Sequence, residues 1–160
     1  MKTLQIEEKH AWEMYATASP ELKKILEDSL GKEFFAQKIT DRIKTYEDAC
    51  VFFGVAPNAL PDVNSCLAED RRSIIAYYKL TIITRALNEG WRPNWDNDNE
   101  RKWYPYFLMS PGSFACGGTS DWRSYSDAGA GSRLCLKSEA LAVYAGKQFS
   151  DLYKELMLID

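Results

Sequence analysis

Few residues of this chain carry the side chains that catalysis or metal binding needs. There is one histidine, His10, and there are four cysteines, Cys50, Cys66, Cys116 and Cys135. Ser–His or Cys–His chemistry would have to centre on His10, which stands beside Glu7, Glu8 and Lys9 in a polar helical segment. Those neighbours mark a surface histidine, and no G-x-S-x-G accompanies it. Zinc needs clustered Cys and His ligands, and the cysteines form no CxxC pair. The run Asp96-Asn97-Asp98-Asn99-Glu100 alternates oxygen donors like the start of a calcium loop. Arg101 stands where that loop needs glycine and Phe107 where it needs the closing glutamate, so a solvated acidic loop is expected. Gly117-Gly118-Thr119-Ser120 lacks the spacing and the lysine of a phosphate loop. The expectation is a non-enzymatic protein with no metal and no cofactor. If it were a hydrolase, Asp96, Asp98 and Asp121 would be the first acids to mutate.

Binding chemistry is better represented. The stretch from Trp91 to Phe107 holds six aromatic side chains in seventeen residues. Together they could remove on the order of 1,000 Å² from water, about 25 kcal/mol gross, so they cannot all stand exposed on a fold of this size. One face of a strand over 103–109 is therefore read as core, with Trp103, Pro105, Phe107 and Met109 alternating with Tyr104, Tyr106 and Leu108. The candidate contact surface is Trp91, Trp95, Arg101, Trp103, Tyr104, Tyr106, Trp122, Arg123 and Tyr125, with Arg92 and Lys102 interleaved. Tyr, Trp and Arg favour protein interfaces, so a protein partner or a homo-oligomer leads. A single-strand nucleic-acid binder stacking bases on Trp95, Trp103, Tyr104 and Trp122 is the alternative. The net charge of −3 weighs against it. A third reading is a small-molecule pocket beneath the 117–131 loop.

The elements that must position these groups read as α+β: an N-terminal helical layer, a small antiparallel sheet over about 102–137, and a closing C-terminal helix. One domain spans 1–160, helical over about 1–90, then a β-meander and helix over about 91–160. Helix is expected over 6–17, with Trp12 and Tyr15 inward. Ser19-Pro20-Glu21 starts a second helix that Gly31 ends. Thr45-Tyr46-Glu47-Asp48 resembles a capping box, and Gly54 closes its helix. The longest helix runs over about 69–89 and is apolar on most faces, hence central. Arg71 and Arg72, in its first turn, are read as solvated arginines held by Glu69 and Asp70. Short strands are expected at 113–116, 122–125 and 133–137, with a flexible turn at 127–131. Ser138 caps the last helix.

A chain of 160 residues buries roughly 70% of its unfolded surface and needs no metal or disulfide for support. The start MKTLQIEEKH has no apolar signal region, and no run approaches a membrane span, so a cytoplasmic protein is expected. The cysteines fit four buried thiols in a reducing cytosol, with a Cys116–Cys135 bridge as the alternative.

Three segments, I-T-D-R-I-K-T-Y-E-D-A-C, Y-Y-K-L-T-I-I-T-R-A-L-N-E-G-W and G-S-R-L-C-L-K-S-E-A-L-A-V-Y-A-G-K-Q-F-S-D-L-Y-K-E, together resemble a family of proteins found in gut Bacteroidetes and their tailed phages. The resemblance covers about 20–155. It implies a phage or prophage origin, in the host cytoplasm or a virion, and brings no assigned activity or catalytic residue.

Overall fold

A computed structural model describes residues 8–110, 113–124 and 131–159. Five helices come first: α1 (Glu8–Thr17), α2 (Pro20–Leu30), α3 (Lys32–Ala36), α4 (Ile39–Arg42) and α5 (Tyr46–Phe53). A 3₁₀ turn at Ala68–Asp70 leads into α6 (Arg71–Leu87). Strands β1 (Lys102–Ser110) and β2 (Ser113–Trp122) follow, then α7 (Gly131–Leu134), α8 (Glu139–Gln148) and α9 (Ser150–Met157). The architecture is α+β, with C-terminal helices closing the chain. No helix among the described residues is long and apolar enough to cross a membrane.

Local chemistry sets the helix ends. The Ser19 hydroxyl accepts from the Leu22 amide, with Pro20 at the first helical position of α2. At α5, Thr45 Oγ1 accepts from the Asp48 amide at 3.1 Å, while the Asp48 carboxylate accepts from Thr45 N at 2.9 Å. That is the reciprocal capping box read from the sequence. Gly54 ends α5 at φ 63°, where a side chain would be strained. The Arg71 guanidinium donates to Cys66 O at 3.1 Å and Asn64 O at 3.0 Å, so it ties the preceding loop to α6 instead of idling in solvent.

The main core gathers on α6, where Leu80, Ile83, Ala86 and Leu87 are buried. Helices α4, α5, α8 and α9 pack residues such as Ile43, Cys50, Leu141 and Tyr153 into the same cluster. A second cluster joins Ala11, Leu26 and Phe35 of α1–α3, flanked by Trp12, Tyr15 and Phe34. The Arg42 guanidinium lies 4.0 Å from the Trp12 ring centroid and 5.4 Å from that of Phe52, and so touches both clusters.

Among the described residues the sheet is an antiparallel hairpin of two strands, not a meander. The expected short strands at 113–116 and 122–125 are parts of one strand as far as Trp122. The register slips between Tyr106 and Phe107, which leaves Gly117 as the extra residue of a bulge. The inner face of β1 carries Trp103 and Phe107 onto the core, and the Phe107 ring sits 4.9 Å from Tyr153. Helix α8 approaches so closely that a Cβ on Gly146 would lie 2.7 Å from both Cys116 Sγ and Pro105 Cβ.

The expected strand over 133–137 is absent. Helix α7 ends at Leu134, and only Leu136 bridges to Trp103. Leu134, Cys135 and Leu136 are all buried, so this segment has no solvated face for a strand to alternate against. The closing helix is broken at Phe149 (φ −111°, ψ 27°) into α8 and α9. All four cysteines are free, with Cys50 and Cys135 buried and Cys66 and Cys116 half-buried. The expected helix start at Ile6, the turn at 127–130 and Tyr125 lie outside the described residues.

Candidate functional site

The loop before β1 is built around a lysine. Lys102 is fully buried, and its ammonium donates to Asn97 O at 3.0 Å and Glu100 O at 2.7 Å. It pairs with Glu100 Oε1 at 3.5 Å and lies 5.4 Å from the Trp95 ring centroid. Glu100 Oε1 accepts in turn from the Asn94 amide at 2.7 Å. Asn94 and Asn97 each accept the amide two residues on, forming Asx turns. A cation therefore does sit within this calcium-like loop, but it is the chain's own. A buried charge is tolerable only with such a full set of partners. The acidic loop is folded, not merely solvated; Asp98 accepts from the Ser124 hydroxyl, and Asp96 stays exposed.

The nominated binding residues separate into groups. Trp122 is only 6% exposed and stacks on Tyr104 at 3.9 Å, so it is not a contact surface; pairing across the hairpin buries it. Trp103 packs against the core, and the Arg101 guanidinium lies 5.7 Å from its ring centroid while pairing with Asp121 at 3.6 Å. Tyr106 stays 44% exposed, its ring against Gly117 and Gly118. Leu108 is 54% exposed, and Met109 near the hairpin end is exposed too. Arg123 is exposed. Trp91 and Trp95 are half-buried and belong to a cleft elsewhere.

That cleft, of about 640 Å³, opens at the C-terminal end of α6. Arg85 and Asn88 come from the helix end, Trp91, Arg92 and Trp95 from the following loop, and Arg133 from α7. Asn88, 5% exposed, fixes the arrangement. Its Nδ2 donates to Cys135 O at 2.9 Å, and its Oδ1 accepts from Lys137 N at 3.0 Å. One amide side chain thus takes the two backbone groups that a neighbouring strand would have paired. Glu89 (φ 48°) and Gly90 (φ 86°) then turn the chain back, and Trp91 N donates to Asn88 O at 2.9 Å. No carboxylate among the described residues lines the cleft, and Glu89 is engaged by Lys137 at 2.7 Å.

Sequence reading missed Arg85, Asn88 and Arg133. Arg85 and Asn88 are three apart on one helix, so their shared face was legible. Arg133 stands in a segment read as strand, and nothing local brings it to α6. Most of the second half of the 117–131 loop, beneath which a pocket was expected, lies outside the described residues, and the cleft at the α6 end draws Ser132 and Arg133 from just beyond it.

Three buried groups are shifted away from ionisation. Desolvation pushes the Cys135 thiol up to about 11, and burial likewise raises Tyr46 and Tyr153. A nucleophilic cysteine needs the opposite shift. No group of three or more His, Cys, Asp or Glu is placed to hold a metal among the described residues. No family model, curated protein or solved structure matches the chain.

Proposed function

We propose that this is a non-enzymatic binding protein of phage or prophage type, acting in the host cytoplasm, whose hairpin docks a second copy of the same chain. The observation that carries this reading is the outer face of β1, where Tyr106 and Leu108 are 44% and 54% exposed and no described element packs over them. The inner face is covered by α8 and α9, so the hairpin is finished on one side only. Two-stranded ribbons are marginal alone, and a further layer on the open face adds apolar burial. A second copy suits it because each chain presents the same apolar patch, which can meet itself about a twofold axis. Pro105 blunts the β1 edge, which favours docking through the face over strand addition there. The free cysteines fit a reducing compartment.

Base stacking along the hairpin is the weaker reading. Trp103 and Trp122, two of its four rings, are engaged inside the molecule.

Light scattering across a concentration series, for the parent chain and for Tyr106→Lys/Leu108→Lys, tests the proposal. Dimer formation by the parent and not by the variant is expected. A parent that stays monomeric at high concentration overturns it, as does a variant that still dimerises.

A further inference from the structure

The geometry points to a binding site for a phosphorylated nucleoside in the cleft at the end of α6, with Arg85, Arg92 and Arg133 on the phosphate and Trp91 and Trp95 on the flat base. This site is separate from the hairpin face and stands or falls independently of it.

The arginines come first. Three arginines from three separate segments line one concavity to which no described carboxylate contributes. None forms an ion pair with a described carboxylate, although the chain has 23 acidic residues to offer. Arg85 has a local reason to be there, since a cation in the last turn complements the negative end of the α6 dipole. Arg133 stands in the last turn of α7, which at four residues has only a short dipole, and Arg92 has no such reason. Like charges gathered in a concave site repel one another and concentrate positive potential. A bound anion relieves that repulsion. All three are arginine and none is lysine, and the planar fork pairs bidentately with phosphate oxygens.

The tryptophans supply the second half. Trp103 is accounted for by the core, but Trp91 and Trp95 belong to neither hydrophobic cluster. Trp95 is held from one side by the Lys102 ammonium. Half-buried indoles beside guanidinium groups form a stacking surface for a flat ring. The volume of about 640 Å³ lies within the range of small-molecule sites, suited to one nucleotide unit. The Asn88 clamp sets the α6 end against the Cys135–Lys137 segment before any ligand arrives. Binding therefore needs little ordering of the backbone.

The nucleotide unit could be free or part of a single strand, and the test separates these sources. Tryptophan fluorescence and calorimetry at low salt would follow adenosine and guanosine 5′-triphosphates, adenosine, inorganic phosphate and a short oligothymidylate. Saturable nucleotide binding that weakens with salt is expected, with adenosine and inorganic phosphate each far weaker. Arg92→Ala and Arg133→Ala should each weaken it roughly tenfold or more, and Trp91→Leu by about tenfold, with unchanged urea midpoints. Tyr106→Lys should leave it unaltered, which separates this site from the hairpin. Tighter binding of the oligothymidylate, lost in the same arginine variants, assigns the site to a strand. Tighter binding of the triphosphates assigns it to free nucleotide. Absence of saturable binding by every nucleotide overturns the site, as does binding indifferent to both arginine substitutions. Equal affinity for inorganic phosphate overturns the role of the tryptophans.

Discussion

The chain concentrates aromatic residues twice and uses them in opposite ways. In the N-terminal cluster Tyr15 stacks on Phe35 at 4.1 Å, and Trp12 meets Phe35 and Phe34 at 5.3 and 5.6 Å. Arg42 closes over Trp12. Each ring there has rings or a cation for neighbours, and the cluster is structural. The 91–107 stretch has the same composition but disperses it. Trp103 and Phe107 join the core, Tyr104 stacks on Trp122, Trp91 and Trp95 line the cleft, and Tyr106 faces outward. Aromatic rings mixed with arginine therefore do not by themselves mark a site. What separates the two regions is whether the rings close on one another, as Trp12, Tyr15 and Phe35 do, or are divided among core, hairpin, cleft and surface.

The sharpest contrast comes from paired substitutions. Phe35→Ala should lower stability by about 3 kcal/mol, read from the urea midpoint, because it removes a buried ring from a closed cluster. Trp91→Ala should change it by less than about 1 kcal/mol, since that ring packs on neither core. Comparable losses from the two would erase the distinction between the regions. Lys102→Met keeps much of the volume but strips two carbonyls and the Glu100 carboxylate of their donor. It should cost about 2–3 kcal/mol in the same assay and loosen the 94–101 loop, seen as faster amide exchange there. A neutral result would mean the loop does not depend on its internal cation.

Gly146→Ala tests how the hairpin is seated. Its methyl would collide with Cys116 and the rigid Pro105 ring, so a loss of about 2 kcal/mol is expected. Gly117→Ala meets the exposed side chains of Tyr106 and Leu108, which can swing toward solvent, and should be milder. The smallest effect is a pH dependence. The Cys135 thiol ionises from its ordinary value of 9.0 in the unfolded chain but only near about 11 when folded. A raised folded pKa gives stability that is whole below pH 9 and is lost as pH rises toward 11. Cys135→Ala should flatten the fall of the urea midpoint across that window.

What was legible in the sequence was local. Ser19, Thr45 with Asp48, and Ser138 cap helices through bonds to amides within three residues, so composition sufficed. The alternation of Trp103 to Leu108 announced a strand with a core face and an open face, and the structure shows both. What failed was long-range. Cys135 O and Lys137 N are satisfied by Asn88, 47 and 49 residues away, whereas the alternation of Leu134 and Leu136 with Cys135 reads locally as a strand. Trp122 looked available because its partner Tyr104 is fixed by hairpin register, which the bulge at Gly117 alters. Lys102 looked like one more basic residue, since burial of its ammonium depends on a loop that folds around it. Arg133 joins Arg85 and Arg92 at one cleft only in the folded chain, where Asn88 holds the segment after α7 against the α6 end.

The most direct measurement is hydroxyl-radical footprinting of side chains at low and high protein concentration. At low concentration Trp91, Trp95, Tyr106, Leu108 and Met109 should react, while Phe35, Trp122 and Tyr153 should be protected. At high concentration protection should spread to Tyr106 and Leu108, leaving the N-terminal cluster unchanged. A reactive Trp122, or Tyr106 and Leu108 equally reactive at both concentrations, would contradict the division between a closed aromatic cluster and an open docking face.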